Sequence, residues 1–261
     1  MLFIYIGKER LTMNQNKATA RKVRSINNTI ALLNKKGAWT NEEIENAIAI
    51  SFGNLKLKSD ENCQFIIWNL PAILTCPYRT ALCEKSCYAL KAERNYPDVL
   101  PARRFNYEFS KTEFFVPFMI RLVHELANKP KFRKAKRIVF RIHESGDFYS
   151  YEYLLKWFTI AEACKDIEKL TFAAYTKSFP FIDRAFTNGI EQPTNFVFRA
   201  SIWADTPTEH LAIIAKYHMD IYTAYEKGKF PKQYAKCLCE NCATCQMCFN
   251  AKVHKIACEI H

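Results

Sequence analysis

Glycine is scarce in this chain, with 6 in 261 residues, which excludes a collagenous or Gly-rich flexible chain. No apolar run approaches the roughly 20 residues that a membrane-spanning helix needs. The N-terminal stretch Met1-Leu-Phe-Ile-Tyr-Ile-Gly-Lys8 is too short and lacks a small-residue cleavage pattern, so no secretory signal is read there. Acidic residues are in deficit, 26 against 38 Lys and Arg, for a net charge of +12. That balance suits a soluble basic protein or a phosphate-bearing partner such as a nucleotide or nucleic acid. Apolar residues reach 49 %, enough for a real core.

Cysteine is abundant. There are 11, an odd number, and eight fall in two dense groups. A secreted disulfide scaffold would be shorter and would carry a signal peptide. The expectation is a reducing cytoplasm with the thiolates on metal. The first group, Cys76, Cys83 and Cys87, follows the apolar run Phe65-Ile-Ile-Trp68 with spacing Cys-x6-Cys-x3-Cys. Three soft ligands select an iron–sulfur cluster with one open iron, or zinc completed by a fourth ligand such as His143. The second group, Cys237-Leu-Cys239-Glu-Asn-Cys242-Ala-Thr-Cys245-Gln-Met-Cys248, suits a second Fe–S cluster or zinc, with His254 and His261 as alternates. Cys63, Cys164 and Cys258 read as ordinary buried cysteines.

Hydrophobic periodicity divides the chain. Residues 1–52 form a basic arm with helices over 25–36 and 40–48, the latter capped by Thr40, and Met13 is an alternative start. Gly53–Lys58 reads as an edge strand. Strands follow at Gln64–Asn69, Arg137–His143, Leu170–Tyr175, Asn195–Ser201 and Asp220–Tyr225. Helical patterning covers 88–128, Tyr151–Cys164, Phe181–Phe186 and Thr208–Tyr217. Alternation of strand and helix predicts a parallel α/β sheet over 53–230. Five strands are too few for an eight-stranded barrel, so a partial, open TIM-like β/α barrel is expected. Residues 231–261 form a Cys-rich metal-binding tail.

Polar residues stand just after the strand ends, where α/β folds gather their sites. His143, Glu144, Ser145, Gly146 and Asp147 follow one strand. Glu144 and Asp147 suit an amino group, ribose hydroxyls or base chemistry, although Asp147 or Ser150 can equally cap the helix from Tyr151. Tyr175, Thr176, Lys177 and Ser178 follow the next, with Lys177 placed for a carboxylate or phosphate. Arg199, Ser201, Trp203 and Asp205 stand at the carboxyl end of the third. Arg141 and Arg199 sit mid-strand, and a buried Arg there needs an anionic partner.

The three-cysteine loop after a first strand resembles that of the radical S-adenosylmethionine enzymes, whose usual spacing, Cys-x3-Cys-x2-Cys, is shorter at both gaps. That resemblance implies a [4Fe–4S] cluster on Cys76, Cys83 and Cys87, S-adenosylmethionine at the open iron, and an electron donor as partner. Glu144-Ser-Gly-Asp147 corresponds in position and character to the segment that holds the methionine amino group there. It implies catalytic roles for Glu144, Asp147 and Lys177, and cofactor contacts for Tyr88, His143, Ser145, Gly146, Tyr175, Arg199 and Ser201.

A longer resemblance runs from Gly53 to His261. Gly53-Asn-Leu-Lys-Leu57, Leu70-Pro-Ala72, Thr75-Cys-Pro77, Cys83 with Cys87-Tyr-Ala89, Lys91-Ala-Glu93, Arg103, Asn106, Arg141-Ile-His-Glu-Ser-Gly-Asp-Phe-Tyr-Ser150 and Tyr175-Thr-Lys-Ser178 resemble the bacteriophage "gene product 88" family. It implies C-terminal ligands at Cys237, Cys242, Cys245 and Cys248, leaving Cys239 extra, and a host-cell cytoplasmic location. The competing expectation is a zinc-bearing nucleic-acid-binding protein, or a barrel transglycosylase with Asp147 as nucleophile and zinc at Cys237, Cys239 and Cys242.

Overall fold

The run Cys63-Gln-Phe-Ile-Ile-Trp68 is buried at all six positions. β-branched and aromatic residues without alternation are what a strand covered on both faces requires. The computed structural model describes residues 48–54, 57–237, 241–249 and 253–260. The predicted helix over 25–36 lies outside them, as do residues 40–47 of the helix predicted over 40–48 and Leu55 and Lys56 of the expected edge strand; Ile48 itself is not helical.

Cys63–Trp68 is strand β2, paired antiparallel with the short β1 (Ile50–Ser51) and parallel with β3 (Arg137–Ile142). The remaining strands are β4 (Leu170–Thr176), β5 (Phe196–Ile202), β6 (Ile221–Tyr225), β7 (Ala235–Lys236) and β8 (Lys255–Glu259). They form one eight-stranded sheet in the order β1-β2-β3-β4-β5-β6-β8-β7, parallel except at β1. The order has two ends, so the sheet is open. Nine helices are described: α1 (Ala81–Lys85), α2 (Tyr88–Asn95), α3 (Val99–Lys111), α4 (Phe115–Asn128), α5 (Pro130–Lys134), α6 (Tyr151–Ala163), α7 (Phe179–Thr187), α8 (Thr208–Lys216) and α9 (Cys242–Cys245).

The five long strands predicted from the sequence are all present, with ends within one residue of expectation. Three more join them. The edge strand is Ile50–Ser51 rather than Gly53–Lys58, because Gly53 (φ 138°) turns the chain out of extended geometry. β7 and β8 extend the sheet from the Cys-rich segment itself. The helical stretch 88–128 is broken at Tyr96–Asp98 and Thr112–Phe114 into α2, α3 and α4.

From β2 to β6 each strand lies beside the next in sequence. Right-handed crossovers then bring the connecting helices to one face. Ile66, Trp68, Phe140, Ile142, Phe172 and Phe198 point to that face and meet Phe105, Phe109 and Phe115 of α3 and α4 and Trp157 of α6. The alternate residues Phe65, Ile67, Val139 and Ala173 face the other way, against Ala243, Cys248 and Phe249. The cysteine-rich segment is thus the cover of the second face of the sheet.

Candidate functional site

The carboxyl ends of β2, β3 and β4 are stitched together by short polar side chains. Asn69 Oδ1 accepts the amides of Glu144 (2.8 Å) and Ser145 (3.0 Å). The Leu70 amide donates to the Ser145 carbonyl at 2.9 Å, and Ser145 Oγ donates back to the Leu70 carbonyl at 2.8 Å. Gly146 has φ 86°, and a Cβ there would stand 2.5 Å from Thr75 Oγ1 and 2.7 Å from Leu70 Cβ. Glycine is the residue that this close crossing of two loops permits.

Asp147 ties β3 to β4. Its Oδ1 accepts Thr176 Oγ1 (2.6 Å) and the Phe148 amide (2.7 Å), and its Oδ2 accepts the Lys177 amide (2.7 Å). Burial pushes this carboxyl up from its ordinary value, and the three hydrogen bonds pull it back. A nucleophilic Asp147 would have to break those bonds. The cap of α6 is Ser150, whose Oγ accepts the Tyr153 amide at 3.1 Å. Lys177 Nζ reaches from this knot to Ser201 Oγ at 2.8 Å and also hydrogen-bonds the Cys83 thiol.

His143 and Arg199 are committed elsewhere than the cofactor contacts expected of them. The His143 ring packs on Phe148 and Tyr153, and its Nε2 lies 3.0 Å from the Tyr153 hydroxyl. Burial, then the charge of Arg141, hold its pKa well below the ordinary histidine value, so it is neutral. Arg199 donates from Nε to the Cys248 carbonyl (3.0 Å), from Nη2 to the Met247 carbonyl (3.0 Å) and from Nη1 to the Val253 carbonyl. Its anionic partner is Asp220, 2.9 Å away. Alternation did turn Arg199 inward, but onto the protein's own C-terminal segment.

The three-cysteine loop lies over the same strand ends. Cys76 follows Thr75, Cys83 lies in α1, and Cys87 precedes α2. Thr80 Oγ1 accepts the Cys83 amide at 3.3 Å, and Asp205 Oδ2, from the loop after β5, accepts the Leu82 amide at 2.8 Å. The Tyr88 hydroxyl donates to the Glu144 carbonyl at 2.5 Å. Glu144 itself accepts a hydrogen bond from Asn54 Nδ2; burial raises its pKa, while Arg141 opposes the rise.

All three thiols are free and half-buried, and each lies within electrostatic reach of the others. Burial, then the charge of Asp147, push the Cys76 thiol up to about 12. Burial also raises Cys83, and Lys177 works against it. Among the described residues, no three or more of Cys, His, Asp and Glu come together closely enough to hold a single metal ion. Zinc, at about 2.3 Å from each sulfur, needs tightly gathered thiolates. The donor set available to a larger group is three free thiols, with Lys177 hydrogen-bonded to Cys83.

Cys237, Cys248 and Cys258 lie around two stacked rings, Tyr175 and Tyr222, with centroids 4.6 Å apart. The Tyr175 hydroxyl hydrogen-bonds Cys248, and the Tyr222 hydroxyl hydrogen-bonds Cys258 with Cys237 nearby. Cys63 is close enough to Cys242 to feel its charge. Cys258 and Cys63, read from sequence as isolated, thus belong to this neighbourhood. The alternation Ile256, Cys258 in a sixth long strand was the available signal. Cys239 and His261 lie outside the described residues.

No helix among the described residues is long and apolar enough to cross a membrane. No solved structure matches the chain. The Gene 88 protein of Mycobacterium phage D29 is 32 % identical over 105 residues, 40 % of this chain and 42 % of that one. The Gene 88 protein of Mycobacterium phage L5 is 33 % identical over 106 residues, 40 % and 43 % of the two chains. The match spans less than half the length of these relatives. Residues 45–251, most of the chain, match the family described as Gene product 88, and the protein belongs to that family.

Proposed function

We propose that the carboxyl-end face of the sheet is the active site of an iron–sulfur enzyme of radical S-adenosylmethionine-like type, with Cys76, Cys83 and Cys87 holding a [4Fe–4S] cluster. The observation that carries this reading is the meeting of three unpaired thiols with Lys177 and Asp147 over the ends of parallel strands. The sequential order from β2 to β6 supports a partial β/α barrel as the scaffold.

A cluster at these thiols supplies one-electron chemistry to a guest at its free coordination position. The chain's own residues do the rest. Lys177 donates to Cys83 and favours its thiolate. Asp147 fixes the backbone that presents Lys177. Tyr88, 64 % exposed and tied to the Glu144 carbonyl, walls the site on the α2 side. Glu144 offers a carboxylate to a bound amino group or hydroxyl. The net charge of +12 favours a nucleotide or nucleic acid as substrate.

The test is anaerobic iron and sulfide analysis with visible absorption, on wild type and a C76A/C83A/C87A variant. The reading requires iron and sulfide in wild type, with one cluster's worth lost in the variant while circular dichroism is unchanged. Zinc alone, or an iron content in the variant equal to that of wild type, overturns it and leaves the zinc-bearing nucleic-acid-binding alternative.

A further inference from the structure

Arg141 has an unusual position among the buried arginines. Arg199 is paired with Asp220 at 2.9 Å, and even the half-buried Arg103 is paired with Glu93 at 2.8 Å. Arg141 is 5 % exposed, yet among the described residues it has no carboxylate partner. Only its Nη1 is engaged, with the carbonyls of Ile142 (3.1 Å) and Ala173 (3.4 Å). Its Nε and Nη2 make no hydrogen bond there, and neither is sealed away from solvent. Burying an unpaired guanidinium is expensive, because carbonyl dipoles replace only part of its hydration.

The side chain is nevertheless held firmly. Its guanidinium carbon lies over the Tyr175 ring, 3.8 Å from the centroid, and Tyr175 is backed by the stacked Tyr222. That contact anchors the guanidinium over the ring, and among the described residues the edge carrying Nε and Nη2 makes no hydrogen bond. The charge is felt by Glu144 and Tyr88 beside the thiol loop and by Cys248 in the C-terminal segment. Arg141 therefore stands between the two cysteine groups, on the face of the sheet opposite α3, α4 and α6.

We infer that Arg141 is the anion-receiving group of a small-molecule binding site, its free guanidinium edge taking a phosphate or carboxylate of the ligand in a bidentate pair. The stacked tyrosines pre-set the fork, so little side-chain freedom is lost on binding. This inference does not depend on whether the neighbouring thiols hold a cluster.

The test is thermal unfolding of the full chain with inorganic pyrophosphate or malonate against sodium chloride at matched ionic strength, for wild type, R141Q and R141K. Wild type gains at least about 3 °C with one of the two anions over chloride, and the gain saturates. A gain with pyrophosphate alone assigns a phosphate ligand; with malonate alone, a carboxylate. R141Q loses the gain entirely. R141K, with charge but no fork, keeps less than a third of it, and it carries the test if R141Q does not fold. No gain over chloride in wild type, or an equal gain in the variants, overturns the assignment.

Discussion

Arg199 and Asp220 form a 2.9 Å ion pair between neighbouring strands, and the same guanidinium holds the carbonyls of Met247, Cys248 and Val253. One cation thus fastens the cysteine-rich segment across the face of the sheet opposite α3, α4 and α6. Arg137 assists from the other end of the sheet, donating to the Phe249 carbonyl at 2.6 Å and to Gln246 Oε1 at 3.2 Å.

Replacing Arg199 by Leu leaves Asp220 without its cation and three carbonyls without their donor. A loss of about 3–5 kcal/mol is expected. Asp220→Asn costs less, because Arg199 keeps its carbonyls and Asp220 retains some contact with solvent. Urea unfolding measures both. Amide exchange at residues 247–249 accelerates in R199L well beyond its acceleration in D220N.

Gly146→Ala is expected to destabilise by about 3 kcal/mol or more. The new Cβ meets Thr75 Oγ1 and Leu70 Cβ inside 3 Å, and the positive φ adds strain of its own. A midpoint in urea within experimental error of wild type contradicts the loop crossing described above.

Asp205→Ala removes a cap from the short helix that carries Cys83. The Asp205 carboxyl is held below its ordinary value: desolvation raises it, but the Leu82 amide and the Thr80 hydroxyl outweigh that effect. The global cost is at most about 1 kcal/mol, since the residue is exposed. The local effect is larger: exchange of the Leu82 and Cys83 amides speeds up while that of the β3 and β4 amides is unchanged.

Stability depends on pH at both extremes. His143 has a depressed pKa in the folded chain, so the unfolded chain binds the extra proton. Its contribution is present above about pH 6.5 and is lost as the pH falls toward the depressed value, at up to about 1.4 kcal/mol per pH unit. H143N, compatible with φ 64°, flattens that slope in acid unfolding curves. Cys164 behaves in the opposite sense. Burial raises it from 9.0 to about 12, so the folded chain keeps a proton that the unfolded chain releases. Stability declines as the pH rises from about 9 toward 12, and C164A reduces that decline.

The sequence by itself determined the five strands β2 to β6 and the helices α6 and α8 between them. Phe65-Ile-Ile-Trp68 and Arg137-Ile-Val-Phe-Arg-Ile142 carry continuous apolar or β-branched runs, and Tyr151–Ala163 repeats apolar residues at helical spacing after its Ser150 cap. These are local properties, set by neighbours within a few residues. The polar motifs after the strands were legible for the same reason, as were the family-wide stretches around Cys76 and Glu144.

Tertiary structure alone decided what each buried polar group meets. Alternation turned both Arg141 and Arg199 inward, yet Arg199 found Asp220 and a segment some 50 residues further on, while Arg141 found an aromatic ring. Cys258 and Cys63 joined the C-terminal cysteines only because β8 and β2 place them there. Periodicity encodes which face a side chain takes. It carries no record of the distant group on that face, because strand order and the return of the C-terminal segment across the sheet set that partner.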